Sequence, residues 1–99
     1  MAENIHERVC ELLLALAGNE VMGVRNSELA SALNVSRPTI TRDLSALEKI
    51  GMVEEIPGLT GRWRLGPRLI QISRAHTESI ARIKANIAEI EQRFSRTFS

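Results

Sequence analysis

The residues best suited to chemistry lie between positions 36 and 64. Ser36, Arg37, Pro38, Thr39, Thr41, Arg42, Ser45 and Lys49 share one stretch, and Arg62 and Arg64 follow it. Their guanidinium, ammonium and hydroxyl groups are hydrogen-bond donors. Such donors, separated by short side chains, suit a polyanion: phosphate oxygens take Arg and Lys, and base edges take Arg, Ser and Thr. Net charge over the chain is only +1, but it is unevenly spread. Residues 1–34 hold Arg8 and Arg25 against Glu3, Glu7, Glu11, Glu20 and Glu28, a sum of −3, whereas residues 35–74 sum to +3. The basic stretch is therefore a candidate electrostatic footprint for nucleic acid.

Other chemistries lack their residues. His6 and His76 fall on separate segments with no nucleophile and acid around them. No glycine-rich phosphate loop and no metal-ligand spacing is present. Cys10 is the only cysteine, which rules out an internal disulfide and a Cys-based zinc site and suits a reducing, cytoplasmic setting. An enzyme is not expected, nor a cofactor or metal. No apolar run approaches the length of a membrane span, and the first residues, MAENIHERVC, lack the pattern of a signal peptide.

The elements that must position these residues can be read from periodicity. Ile5, Val9, Leu12, Leu13 and Leu16 form a stripe at helical spacing over residues 5–17. Cys10, Leu14 and Ala17 form a second stripe, which predicts packing on another long helix or on a second chain. Gly18 and Asn19 end that helix. A short strand is possible at residues 23–25. Asn26 or its neighbour caps a second helix over 27–33, and Asn34 and Val35 make a tight turn. Ser36 caps a third helix with Pro38 in its first turn, where a missing N–H costs little. The Ser36 hydroxyl is alternatively a phosphate donor. Gly51 is placed to end the third helix. Residues 52–56 and 62–65 read as two strands joined by PGLTG, a hairpin.

Helix, short helix, turn, helix and hairpin together predict a mainly α fold with a small β-hairpin wing: a winged helix-turn-helix over residues 1–66, followed by a long helix over 67–99. The recognition helix spans 36–50 and the wing 56–62. Ile40, Leu44 and Leu47 must point inward. Opposite them lie Pro38, Arg42, Ser45 and Lys49, flanked by Thr39, Thr41 and Ala46, a short, polar and basic face with no acid near its centre. Asp43 falls toward the inner side, where it could bind a backbone N–H or a nearby Arg. Arg62 and Arg64 alternate with Trp63, so the arginines face outward, toward a phosphate or the minor groove, and the indole faces the helices.

Two segments carry a family resemblance. GRWRLGPRLIQIS, residues 61–73, looks like the wing and post-wing segment of the IclR family of bacterial transcription regulators. ELASALNVSRPTITRDLSALEKIGMVEE fits that family's helix-turn-helix, and TITRDLSALEKIG, with Asp43 before Leu44, is similar to the DeoR family as well. The resemblance implies a double-stranded DNA-binding transcription regulator acting as a dimer. IclR-type regulators continue into an effector-binding domain, for which this chain has no room. It is then a fragment or a short regulator, and no small-molecule effector is expected.

The last helix offers the dimer contact. Ile80, Ile83, Ile87, Ile90 and Phe94 step by 3, 4, 3 and 4, a heptad seam. With the Cys10 and Leu14 side of the first helix it predicts a homodimer. Isoleucine at both seam positions also suits higher assemblies, so the two-fold comes from DNA geometry: a dimer presents two recognition helices to half-sites roughly 34 Å apart, or a multiple of that. The rival reading is a winged helix used for protein–protein assembly, its basic face meeting an acidic partner.

Overall fold

The computed structural model describes residues 4–98, and side chains for 4–95. The order is α1 (Ile5–Leu16), β1 (Val24–Arg25), α2 (Asn26–Leu33), α3 (Arg37–Lys49), β2 (Val53–Glu55), β3 (Arg62–Leu65) and α4 (Pro67–Phe98). This is a winged helix-turn-helix with a long C-terminal helix.

The α1 helix starts at Asn4, whose side chain accepts from the Glu7 N–H at 2.9 Å. Its expected stripe is buried from Val9 onward: Leu12 and Leu16 are fully enclosed, with Val9 and Leu13 packed beside them. Ile5 departs from the expectation. It stands in the first turn, ahead of where packing begins, and is 54% exposed. Leu29, Ala30 and Leu33 of α2, Ile40, Leu44 and Leu47 of α3, and Val53 of β2 complete the core. The α2–α3 turn rests on Asn34 in the left-handed conformation (φ 56°), which asparagine tolerates better than most residues. Val35 then donates back to Ala30 O at 3.0 Å.

The short strand expected at residues 23–25 is present as β1, and it joins the hairpin, giving the antiparallel order β1-β3-β2. Val24 stands opposite Trp63, and Val53 opposite Leu65. The arginine-bearing strand is therefore the central one. Trp63 and Leu65 are half-buried against the helical core.

The α3–β2 joint anchors α4. Gly66 N–H donates to Met52 O at 2.8 Å and Arg68 N–H to Gly51 O at 3.0 Å. Gly66 is buried here because the two backbones nearly touch. Beyond this anchor α4 leaves the domain. Ile80, Ile83, Ile87, Ile90 and Phe94 are 40–61% exposed. The chain measures 67 Å along its longest axis, with a Cα radius of gyration of 19.9 Å. A compact chain of this length has about 13 Å.

Candidate nucleic-acid interface

The α3 helix is sorted as its periodicity predicts. Ile40, Leu44, Leu47 and Asp43 are buried. Arg37, Pro38, Thr41, Arg42, Ser45, Ala46 and Lys49 are exposed, and Thr39 is half-buried. Its N-terminus is held by Ser36, whose Oγ accepts from the Thr39 N–H at 3.3 Å and lies 2.8 Å from Thr39 Oγ1. The capping role is thus filled within the chain. Ser36 itself remains exposed at the positive end of the helix dipole. Arg42 and Lys49 project from the same outward side, and among the described residues neither side chain has a hydrogen bond or ion pair.

Asp43 resolves to the second of its two expected partners. Arg8 of α1 grips it in a two-point pair, Nε to Oδ2 at 2.6 Å and Nη2 to Oδ1 at 3.0 Å. Hydrogen bonding to the carboxylate, with its charge, raises the Arg8 pKa above its ordinary value. The acid is only 5% exposed, so its charge is matched inside the domain and kept off the outer face. The pair also ties α3 to α1. Asp43→Ala should lower the melting temperature by roughly 5 °C, because an arginine then stays unpaired at the helix junction. An Arg8→Ala/Asp43→Ala double variant should recover part of that loss. Thermal unfolding of the three variants checks both statements.

Asn26 has a role the sequence did not reveal. It does not cap α2. Arg25 holds the N-cap position, and its backbone N–H donates to Glu28 Oε1 at 3.2 Å. The Asn26 side chain instead turns to α3, donating from Nδ2 to Thr41 Oγ1 at 2.7 Å and to Arg37 O at 3.4 Å. Its Oδ1 is buried without a partner. With Thr41 Oγ1 accepting from Asn26, the Thr41 hydroxyl hydrogen is left to donate outward.

The wing arginines sit less openly than expected. Arg64 pairs with Glu54 at 2.6 Å and donates to Glu20 O at 3.2 Å. Arg62 donates to Met22 O at 3.3 Å. Both are half-buried on the central strand. The wing tip, residues 57–61, carries no charged side chain. It is closed by Gly61 N–H donating to Glu55 Oε2 at 2.7 Å. The structure thus gathers Ser36, Arg37, Pro38, Thr41, Arg42, Ser45 and Lys49 on α3 and its N-cap, and ties Arg62 and Arg64 to the loop before β1 and, through Glu54, to β2.

The remaining candidates lie elsewhere. Cys10 is exposed on α1 and Leu14 is 74% exposed. His6 and His76 are exposed on different helices. Among the described residues no group of three or more His, Cys, Asp or Glu could hold a metal ion, and no helix is long and apolar enough to cross a membrane.

Solved structures share this fold. A Zalpha domain of cyprinid herpesvirus 3, determined for its binding mode to Z-DNA, aligns with a TM-score of 0.54 and 22% identity, covering 63% of this chain and 97% of that one. An IclR transcriptional regulator from Alicyclobacillus acidocaldarius aligns with a TM-score of 0.61 and 30% identity over 71% of this chain, which spans 28% of that regulator. A MepR mutant from a multidrug-resistant S. aureus clinical isolate aligns with a TM-score of 0.51 and 19% identity, covering 85% and 74% of the two chains. No curated protein matches the sequence. Residues 7–65, more than half of the chain, match the model of one family of DNA-binding domains, and on that ground this chain belongs to the Crp-like helix-turn-helix domains.

Proposed function

We propose that the chain is a sequence-specific, double-stranded DNA-binding transcription regulator that acts as a homodimer, with α3 in the major groove. The observation that carries this is the outer face of α3. Arg37, Thr41, Arg42, Ser45 and Lys49 are exposed there, while Asp43 is buried against Arg8 and the helix's other acid, Glu48, stands exposed at the flank. A helix of this length, with donors outward and no carboxylate at its centre, fits a groove lined by phosphates and base acceptors. Thr39, Thr41, Arg42 and Ser45 are the base-contact candidates. Arg37, Lys49 and the N–H groups behind Ser36 set register on phosphates. Arg62 and Arg64 reach a DNA backbone only by giving up their contacts to Met22 O, Glu20 O and Glu54, so their share is smaller. An IclR-type relationship is the finer family reading. It draws on the post-wing segment GRWRLGPRLIQIS and on the 30% identity to the A. acidocaldarius regulator.

Fluorescence anisotropy against a mixed-sequence duplex tests the reading. Affinity should fall by about a hundredfold or more between 50 and 200 mM salt, since several phosphate contacts release counterions. A chain that ignores duplex at low salt would overturn it in favour of an assembly module whose basic face meets an acidic protein.

A further inference from the structure

The exposed seam of α4 specifies an orientation as well as a partner. Ile80, Ile87 and Phe94 occupy one core position of the heptad, and Ile83 and Ile90 the other. Lys84 and Glu91 each follow a core residue of the second kind and flank the seam on one side. Ser79, Asn86 and Arg93 flank it on the other. Flanking charges choose partner and direction in helix pairs.

Several other charges on this helix have opposite charges within reach on their own surface. Glu89 pairs with Arg93 at 2.7 Å, and Glu78 and Arg82 share the same four-residue spacing. Lys84 and Glu91 do not. The residues three and four places from Lys84 are Ile80, Ala81, Ile87 and Ala88. Those around Glu91 are Ile87, Ala88, Phe94 and Ser95.

A second copy supplies the missing mates in one arrangement. In a parallel pair each flank meets the opposite flank, which sets Lys84 near Ser79 of the partner subunit and Glu91 near Asn86 of the partner subunit. No opposite charges meet. In an antiparallel pair like flanks meet. With Ile87 packed on the partner subunit's Ile90, Lys84 comes opposite the partner subunit's Glu91, and two-fold symmetry repeats the contact. Sliding by one heptad sets lysine on lysine or glutamate on glutamate.

We infer that two copies of this chain pair through antiparallel α4 helices in the register that places Lys84 against Glu91 of the partner subunit. The pairing rests on the dimeric reading above and adds direction and register to it. It sends the two α3 helices to opposite ends of a shared rod.

Sedimentation equilibrium on the full chain, with Lys84→Glu, Glu91→Lys and the double variant, tests it. Each single substitution turns two attractive contacts into repulsive ones and should weaken dimerisation about tenfold at low salt. The double variant should return to within about threefold of the parent, and the differences should shrink near 1 M salt. Single variants that dimerise like the parent, or a double variant weaker than either, would reject this orientation and leave the dimer standing. A parent monomeric at all concentrations would overturn both, while duplex binding by that monomer would still be judged separately through α3.

Discussion

Alanine at Gly66 should lower the melting temperature by roughly 15 °C, a large loss for a single added methyl group. A Cβ there would run into the Gly51 carbonyl and stand 2.8 Å from the Val53 nitrogen. Both neighbours are backbone, and both belong to the joint where α3 ends and β2 begins, so no side-chain rotation relieves the collision. The Gly66 N–H also donates to Met52 O at 2.8 Å, so displacement breaks the hydrogen bond that seats α4. Gly58→Ala is the control. That residue has φ 81°, and nothing lies within 4 Å of its added Cβ. It should cost only the backbone strain, about 1–2 kcal/mol. Circular dichroism melts compare the two, and equal losses would mean the joint is not tightly closed.

Arg42→Ala should reduce duplex affinity by about tenfold to a hundredfold, the range of a well-placed arginine contact to a base. Glu89→Ala, far along α4 and paired with Arg93, should stay within about twofold. Arg42 is exposed and takes no part in capping α3, so its variant should melt like the parent. This separates lost contact from lost fold. The pattern of the loss identifies the group contacted. A base contact relaxes preference at one operator position. A phosphate contact weakens all duplexes alike and lowers the salt slope by about one. Equal affinities for the two variants would remove Arg42 from the interface.

The α3 face was legible because burial imposes a period. Ile40, Leu44 and Leu47 fix one side of the helix, and the other side follows by geometry. Ser36, Pro38 and Gly51 mark its ends through local backbone chemistry, which sequence carries directly. The rest depends on pairs distant in sequence. Arg8 and Asp43 lie 35 residues apart, and only the crossing of α1 over α3 joins them. The short strand expected at residues 23–25 is present as β1, but its pairing with the free edge of β3, almost forty residues away, left no mark in the sequence. Arg62 and Arg64 were placed on the correct side of Trp63, but their acceptors include the carbonyls of Glu20 and Met22. Backbone acceptors in a distant loop leave no mark on composition. Asn26 carries a residue type that fits a cap, and its use between helices appears only when α2 and α3 are set side by side.

The projecting α4 also governs how the molecule tumbles. At 32 residues it is about 48 Å long, longer than the domain that bears it is wide. Frictional drag grows with extension more than with mass, so a single copy should leave a gel-filtration column ahead of a compact protein of its 11.0 kDa. Early elution would imitate association where there is none. Light scattering, which like sedimentation equilibrium weighs particles without reference to their shape, can therefore count copies of this chain in solution where gel filtration cannot.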